Sequence, residues 1–169
     1  GGLNTGFRTS GTPNLPPSGD HMDETDKKIA ALLQDDCFLP QAEIARAVDR
    51  VTSSVNERMR KLREDGFVRG YRADLDPDRV GFPILAFVNV LIDDAVNAAA
   101  FPKRAVKVPE VLELHHVTGD WNFLIKIRAR STANLENILT AKLKKLRGVV
   151  RTNTQIVLVA HKETHALPL

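Results

Sequence analysis

The sequence predicts an α+β protein: three short helices and a wing, then elements in the order β-α-β-β-α-β. Three observations point there. Apolar residues recur at helical spacing in three successive stretches before residue 66. Strand-sized apolar runs follow, such as residues 84–88 and 156–160. Between those runs lie two longer stretches that return to helical periodicity. With 169 residues and 43% apolar side chains, the chain is enough for one ordinary domain or two small ones. No window approaches the roughly 18 consecutive apolar residues of a membrane span, so no membrane partner is expected.

Residues 1–21 stand apart. They are rich in Gly, Pro, Ser, Thr and Asn, show no periodicity, and lack the apolar region of a signal peptide. They read as a disordered leader added for expression, with Met22 as the expected native start. The alternative is a natural disordered arm whose one basic contact would be Arg8.

The first helix is expected over residues 23–34. Ile29, Leu32 and Leu33 make its apolar stripe, and Asp23, Glu24 and Asp26 sit in the first turn, where the helix dipole favours acids. A turn follows at 35–39. Pro40 suits the first position of a short second helix, about 40–48, whose apolar side is Ala42, Ile44, Ala45 and Val48. After the turn Asp49-Arg50-Val51, a hydroxyl of Thr52 or Ser53 is expected to cap a third helix running to about Asp65. Val55, Met59 and Leu62 form its narrow buried face, and Gly66 stands where a C-terminal cap is wanted. Residues 67–73 read as a β-hairpin or wing with Gly70 at its bend. Residues 22–73 therefore form a winged helix-turn-helix, and 74–83, with two prolines and Gly81, form a linker.

In a helix-turn-helix the N-terminal end of the last helix enters the DNA major groove. Ser53, Ser54, Asn56 and Glu57 are then set to meet base edges. Arg50, Arg58, Arg60 and Lys61 are set for phosphates, although an arginine also reads guanine. Charge agrees: residues 22–80 hold 11 basic and 13 acidic groups, yet 43–72 alone hold 8 basic and 5 acidic ones. An ordinary three-helix unit with a solvated basic face is the plainer alternative.

Residues 84–169 make the second domain. A strand is expected at 84–92. A helix opened by Asp93-Asp94 then runs to about Lys107, kinked or broken at Pro102. A strand at 111–118, the tight turn Gly119-Asp120 and a strand at 121–129 come next. A helix over 131–146 carries Leu135, Ile138, Leu139, Leu143 and Leu146. Gly148 ends it, and the last strand is 149–160. This order is the ferredoxin-like βαββαβ arrangement, and by itself it implies no function.

Enzyme chemistry finds little support. No Gly-rich phosphate loop, zinc-ligand pattern or nucleophile elbow occurs, and neither a metal nor a cofactor is expected. Cys37, the single cysteine, sits among acidic neighbours in a turn. It reads as a small, part-buried residue of a protein kept in a reducing cytosol.

Several stretches carry a resemblance. They are Glu43-Ile44-Ala45, the run from Val55 to Leu62, and Gly66-Phe67-Val68-Arg69-Gly70-Tyr71. In the second domain they are Val117-Thr118-Gly119-Asp120, Leu146-Arg147-Gly148-Val149 and the run from Arg151 to Leu158. In this order and spacing, over residues 22–168, the chain resembles the leucine-responsive regulatory protein/AsnC transcription regulators, and the second domain would be of their RAM/AsnC type. The resemblance implies a prokaryotic, cytoplasmic, nucleoid-associated protein on double-stranded DNA with pseudo-palindromic promoter sites. It implies dimers built through the second domain, assembled further into tetramers or octamers, and an amino-acid effector. The effector residues carried over are Thr118, Gly119, Asp120, Trp121, Asn122, Thr152 and Thr154. Backbone N–H groups and threonine hydroxyls suit a carboxylate, and an acidic or amide side chain suits an ammonium. Trp121 reads better as a core or interface anchor. Two departures stand out: Asn122 replaces a common second acid, and Asp49-Arg50-Val51 replaces a common Gly-Leu-Ser-like turn.

Two rival functions remain at this level. One is an architectural protein that wraps DNA without an effector. The other is an enzyme like the sirohaem decarboxylases, suggested by His115-His116. Adjacent strand residues face opposite sides, so the two histidines share one site only across a bulge.

Overall fold

A computed structural model describes residues 21–169, and the expected leader lies outside them except for His21. The chain divides into two compact units. One runs to Arg72 and includes Thr164–Leu169, and the other is Ala73–Glu163.

In the first unit α1 spans Glu24–Asp35, α2 Gln41–Ala47 and α3 Thr52–Glu64. Asp23 begins α1 with a reciprocal cap: its carboxylate accepts from the Asp26 N–H at 2.8 Å, and Asp26 answers the Asp23 N–H. Ile29, Leu33, Ile44, Ala45, Val48, Val55 and Leu62 form the buried core, with Leu32, Met59 and Val68 packed against it. Ala42, expected inside, is exposed. The expected hydroxyl cap of α3 is also corrected. Val51 is the capping residue, without a side-chain bond, because its carbonyl already accepts from the N–H groups of Ser54 and Val55. Thr52 and Ser53 are thus the first and second residues inside the helix, both exposed.

Residues 67–73 form no strand, contrary to expectation. The Val68 N–H closes back onto the Leu62 carbonyl at 2.8 Å, a bond of the helix end, and no partner strand lies alongside among the described residues. Gln34 holds the C-terminal segment of this unit. Its amide donates to the Leu167 carbonyl and accepts from the Leu167 N–H.

The second unit is a four-stranded antiparallel sheet in the order β2-β3-β1-β4, with β1 Ile84–Ile92, β2 Val111–His116, β3 Phe123–Ala129 and β4 Val149–Ile156. Alternation decides its faces. Ala86, Val88, Val90 and Ile92 lie on the face shared with Phe123, Ile125 and Ile127, and helices cover them. Helix α4, Ala95–Ala105, contributes Phe101, whose ring lies 4.9 Å from that of Phe123. Pro102 does not break α4. Buried Phe101 and Ala105 hold the helix to the sheet on both sides of the missing hydrogen bond.

Asp94 caps α4 and Ser131 caps α5, Thr132–Asn137. A π-helical turn, Ile138–Leu143, continues α5 and buries Ile138 and Leu143. Gly148 takes φ +91°, and a Cβ there would overlap Asn97, so no larger residue fits this corner. β4 ends at Ile156 rather than Ala160, because β1 begins at Ile84 and offers no further partner after Val157 N–H bonds Leu85. Asp76 folds the expected linker into a turn by accepting from the N–H groups of Asp78 and Arg79.

Candidate functional site

The exposed side of α3 begins directly after the turn. Asp49 occupies the left-handed region at φ 51°, a conformation that asparagine and aspartate tolerate better than most residues. The Arg50 guanidinium folds onto the Asp49 carbonyl at 2.8 Å. Ser53, Asn56, Glu57, Arg60 and Lys61 are exposed along α3, while Ser54 is half-buried.

Arg58 behaves differently from its sequence expectation. Its Nη1 donates to Asp23 at 2.7 Å and to Asp26 at 2.8 Å, tying α3 to the start of α1. These bonds, to Asp26 first, raise the Arg58 pKa. The Asp23 carboxyl is held low by the Asp26 N–H and then by Arg58. The structure therefore engages Arg58 within the fold and leaves it off the exposed set. Arg60 lies between Glu57 and Glu64, hydrogen-bonded to both, and its pKa is raised by Glu57 and then Glu64. Lys61 approaches the same Glu57 at 4.0 Å. The arginines that look most prominent in sequence are thus already compensated.

A second constellation gathers at one end of the sheet. Thr118, Gly119 and Asp120 are exposed in the turn between β2 and β3, with Gly119 at φ 108°. The Val117 N–H donates to the Asn122 carbonyl, and the Asn122 N–H donates to the Val90 carbonyl, so the turn is anchored on β1. Thr152 pairs with that same Val90 from β4, about 10 Å across two strand spacings from the start of β3. Thr154 pairs with Val88, two residues further along, and both threonines are half-buried. The turn and Thr152 thus come together, and Thr154 lies beyond them.

Asn122 has a structural duty that its sequence position does not betray. Its Oδ1 accepts from the Ile92 N–H at 2.7 Å, which leaves the amide N–H groups as the end for a ligand. Sequence reasoning also missed Arg151, whose guanidinium lies 4.7 Å from the centre of the Trp121 ring. A cation over the ring of a half-buried tryptophan has no periodic signature. Strand pairing alone brings the two together.

The two histidines face opposite sides. His116 stacks on Phe123 at 5.0 Å, on the helix-covered face, while His115 Nε2 meets Glu113 at 3.0 Å on the other. On that other face, Lys126 contacts Glu113 at 3.2 Å and Glu163 at 2.5 Å, and Arg128 joins Glu163 at 2.6 Å. Register sets Phe87, Asn89 and Leu91 of β1 beside them, half-buried.

Comparison with known proteins covers both units. Residues 22–69 match the family described as winged helix-turn-helix DNA-binding, and residues 85–167 match the Lrp/AsnC ligand binding domain. The HTH-type transcriptional regulator FL11 of Pyrococcus horikoshii is 38% identical over 148 residues, 88% of this chain and 97% of that protein. The proline dehydrogenase transcriptional activator of Rhizobium radiobacter is 29% identical, covering 86% and 94%. Among solved structures, a transcriptional regulator of Neisseria meningitidis in complex with L-Met superposes with a TM-score of 0.84 at 30% identity, over 88% of this chain and 97% of that one. A feast or famine regulatory protein of M. tuberculosis complexed with L-methionine gives 0.80 at 27% identity, over 86% and 97%.

Proposed function

The chain belongs to the Lrp/AsnC family of transcription regulators, and from that premise we propose that it binds specific promoter sequences and that an amino acid sets its activity or its assembly. The observation that carries the DNA reading is the exposed side of α3, which presents Ser53, Asn56 and Glu57 outside the core at the end nearest the turn. Ser53, Ser54, Asn56 and Glu57 meet base edges, and Arg50, Arg60 and Lys61 lie toward phosphates. A protein with this task works in the cytoplasm, on the nucleoid.

The effector reading has the turn 118–122 hold the ligand, with Thr152 beside it and Thr154 further along. Exposed N–H groups at Gly119 and the amide N–H groups of Asn122 suit a carboxylate. Asp120 is then the acceptor for an ammonium, because the Asn122 oxygen is engaged by Ile92. Trp121 and Arg151 form a rim. The L-Met complexes of two similar structures support an amino acid as the ligand. The sheet face bearing Phe87, Leu91 and Leu124, half-buried in the single chain, supports a dimer through this unit, with tetramers or octamers built from it.

A gel-shift titration tests the DNA reading. A regulator prefers a selected promoter duplex over random DNA by orders of magnitude. Equal affinity for both sinks the regulator reading and leaves the architectural one. A thermal-shift screen of the twenty amino acids tests the effector, since a ligand that binds only the folded state raises the melting temperature. No shift with any of them removes the amino-acid effector.

A further inference from the structure

The end of the sheet that bears the turn 118–122 offers more donors than acceptors. Asn122 presents only its amide N–H groups, because its Oδ1 already accepts from the Ile92 N–H at 2.7 Å. Gly119 is exposed, and its N–H has no backbone acceptor among the described residues. Against these donors the turn sets one carboxylate, that of Asp120, also exposed. The two acids that follow Ile92 are engaged elsewhere: Asn97 Nδ2 donates to Asp93 and to Asp94, each at 3.0 Å.

Arg151 adds a cation to this set. It is exposed on β4, next to Thr152, and pairs with Leu91 of β1. Its guanidinium lies over the Trp121 ring, 4.7 Å from the centre, and Trp121 stands between Asp120 and Asn122 in the turn. Neither a hydrogen bond nor an ion pair of the Arg151 side chain occurs among the described residues, whereas Arg128 is held by Glu163 at 2.6 Å. A half-buried ring is a firm platform for a guanidinium and neutralises none of its charge.

We propose that the turn takes an acidic amino acid, aspartate or glutamate, and that Arg151 selects it by binding the side-chain carboxylate. The proposal rests on the amino-acid effector reading above and names the class of amino acid. In this arrangement the α-carboxylate meets the Gly119 N–H and the Asn122 amide, and the ammonium meets Asp120. The second carboxylate meets the guanidinium, which offers it two parallel N–H donors. Charge complementarity selects this class. An apolar side chain would cover Arg151 and strip its water without replacing it, which penalises an unpaired cation. A basic side chain would set like charges together. An amide side chain brings a single uncharged acceptor and turns an NH₂ group toward a donor.

Isothermal titration of the full-length chain with L-aspartate, L-glutamate, L-asparagine, L-glutamine and L-methionine tests this. One of the two acids is expected to bind at least about tenfold more tightly than its own amide, because a charge-assisted bidentate contact outweighs a neutral one. Arg151→Gln is expected to bring that acid and its amide to within about twofold of each other, with affinity for the amide near wild type. Arg151→Lys keeps part of the preference, since the charge remains without the paired donors. Melting of the ligand-free variants at the wild-type temperature shows that they remain folded. A wild-type chain that binds L-glutamine, L-asparagine or L-methionine as tightly as either acid overturns the acidic class while the amino-acid reading stands. A preference for the acid that survives Arg151→Gln, or a loss of acid and amide affinity by the same factor, overturns Arg151 as the selecting residue. Binding of none of the twenty amino acids overturns the amino-acid reading itself.

Discussion

At the scale of single residues, the difference between charge present and charge available decides the chemistry. Arg58 sits in a basic run, and a helical wheel leaves it at the margin of the exposed side. Its two partners, Asp23 and Asp26, lie more than thirty positions earlier, where no periodicity could announce them. Arg58→Ala is expected to cost about 1 kcal/mol of stability in chemical denaturation, a modest figure because the pair is partly solvated. Its DNA salt slope should stay near wild type. A large loss of slope with unchanged stability would return Arg58 to the DNA contacts. Asn122 teaches the same lesson from the other unit. The sequence marks it as a departure from a common acid, and only the Ile92 N–H reveals which end of the amide remains open.

At the scale of elements, local signals were legible wherever the physics is local. Three helices with apolar stripes, the acidic first turn of α1, and Gly66 and Gly148 at helix ends all follow from short-range pattern. Strand ends were not, because a strand stops where its neighbour stops. β4 reads as continuing to Ala160, but β1 supplies no partner that far. The wing reads as a hairpin from Gly70, but a hairpin needs a second strand to pair with. Pro102 reads as a kink or a break, yet α4 runs on through it, because burial of Phe101 and Ala105 outweighs one lost hydrogen bond.

The segment after β4 is held by Glu163 against Lys126 and Arg128. Lys126 first holds the Glu163 carboxyl below its ordinary value, and Arg128 adds to this. Glu113 is held low by His115 and then Lys126. Carboxyls lowered in the folded state add stability above their unfolded pKa, near 4.5, and lose it as pH falls through the lower folded value. Denaturation midpoints should therefore drop as pH falls from about 5 toward 3. Glu163→Gln should be less stable at neutral pH and fall less steeply in acid. The same acid decline in wild type and variant would assign it elsewhere.

At the scale of the whole molecule, the match to a winged helix-turn-helix falls on residues 22–69 and the match to the Lrp/AsnC ligand binding domain on residues 85–167, and the proposed effector turn 118–122 lies in the second stretch. Asp120→Ala is expected to flatten the response to an amino acid while DNA affinity without ligand stays within about threefold, a difference below 1 kcal/mol. Loss of DNA binding in the absence of ligand would show that the turn supports folding or assembly instead. The Arg58 pairing has a consequence for engineering. A recognition helix is often treated as a cassette to be moved between regulators. Here the cassette would leave its counter-ions behind on α1, and a chimera carrying α3 alone would gain a naked cation. Such a graft would bind all DNA more tightly and discriminate less, so α1 and α3 must travel together for operator preference to be transplanted.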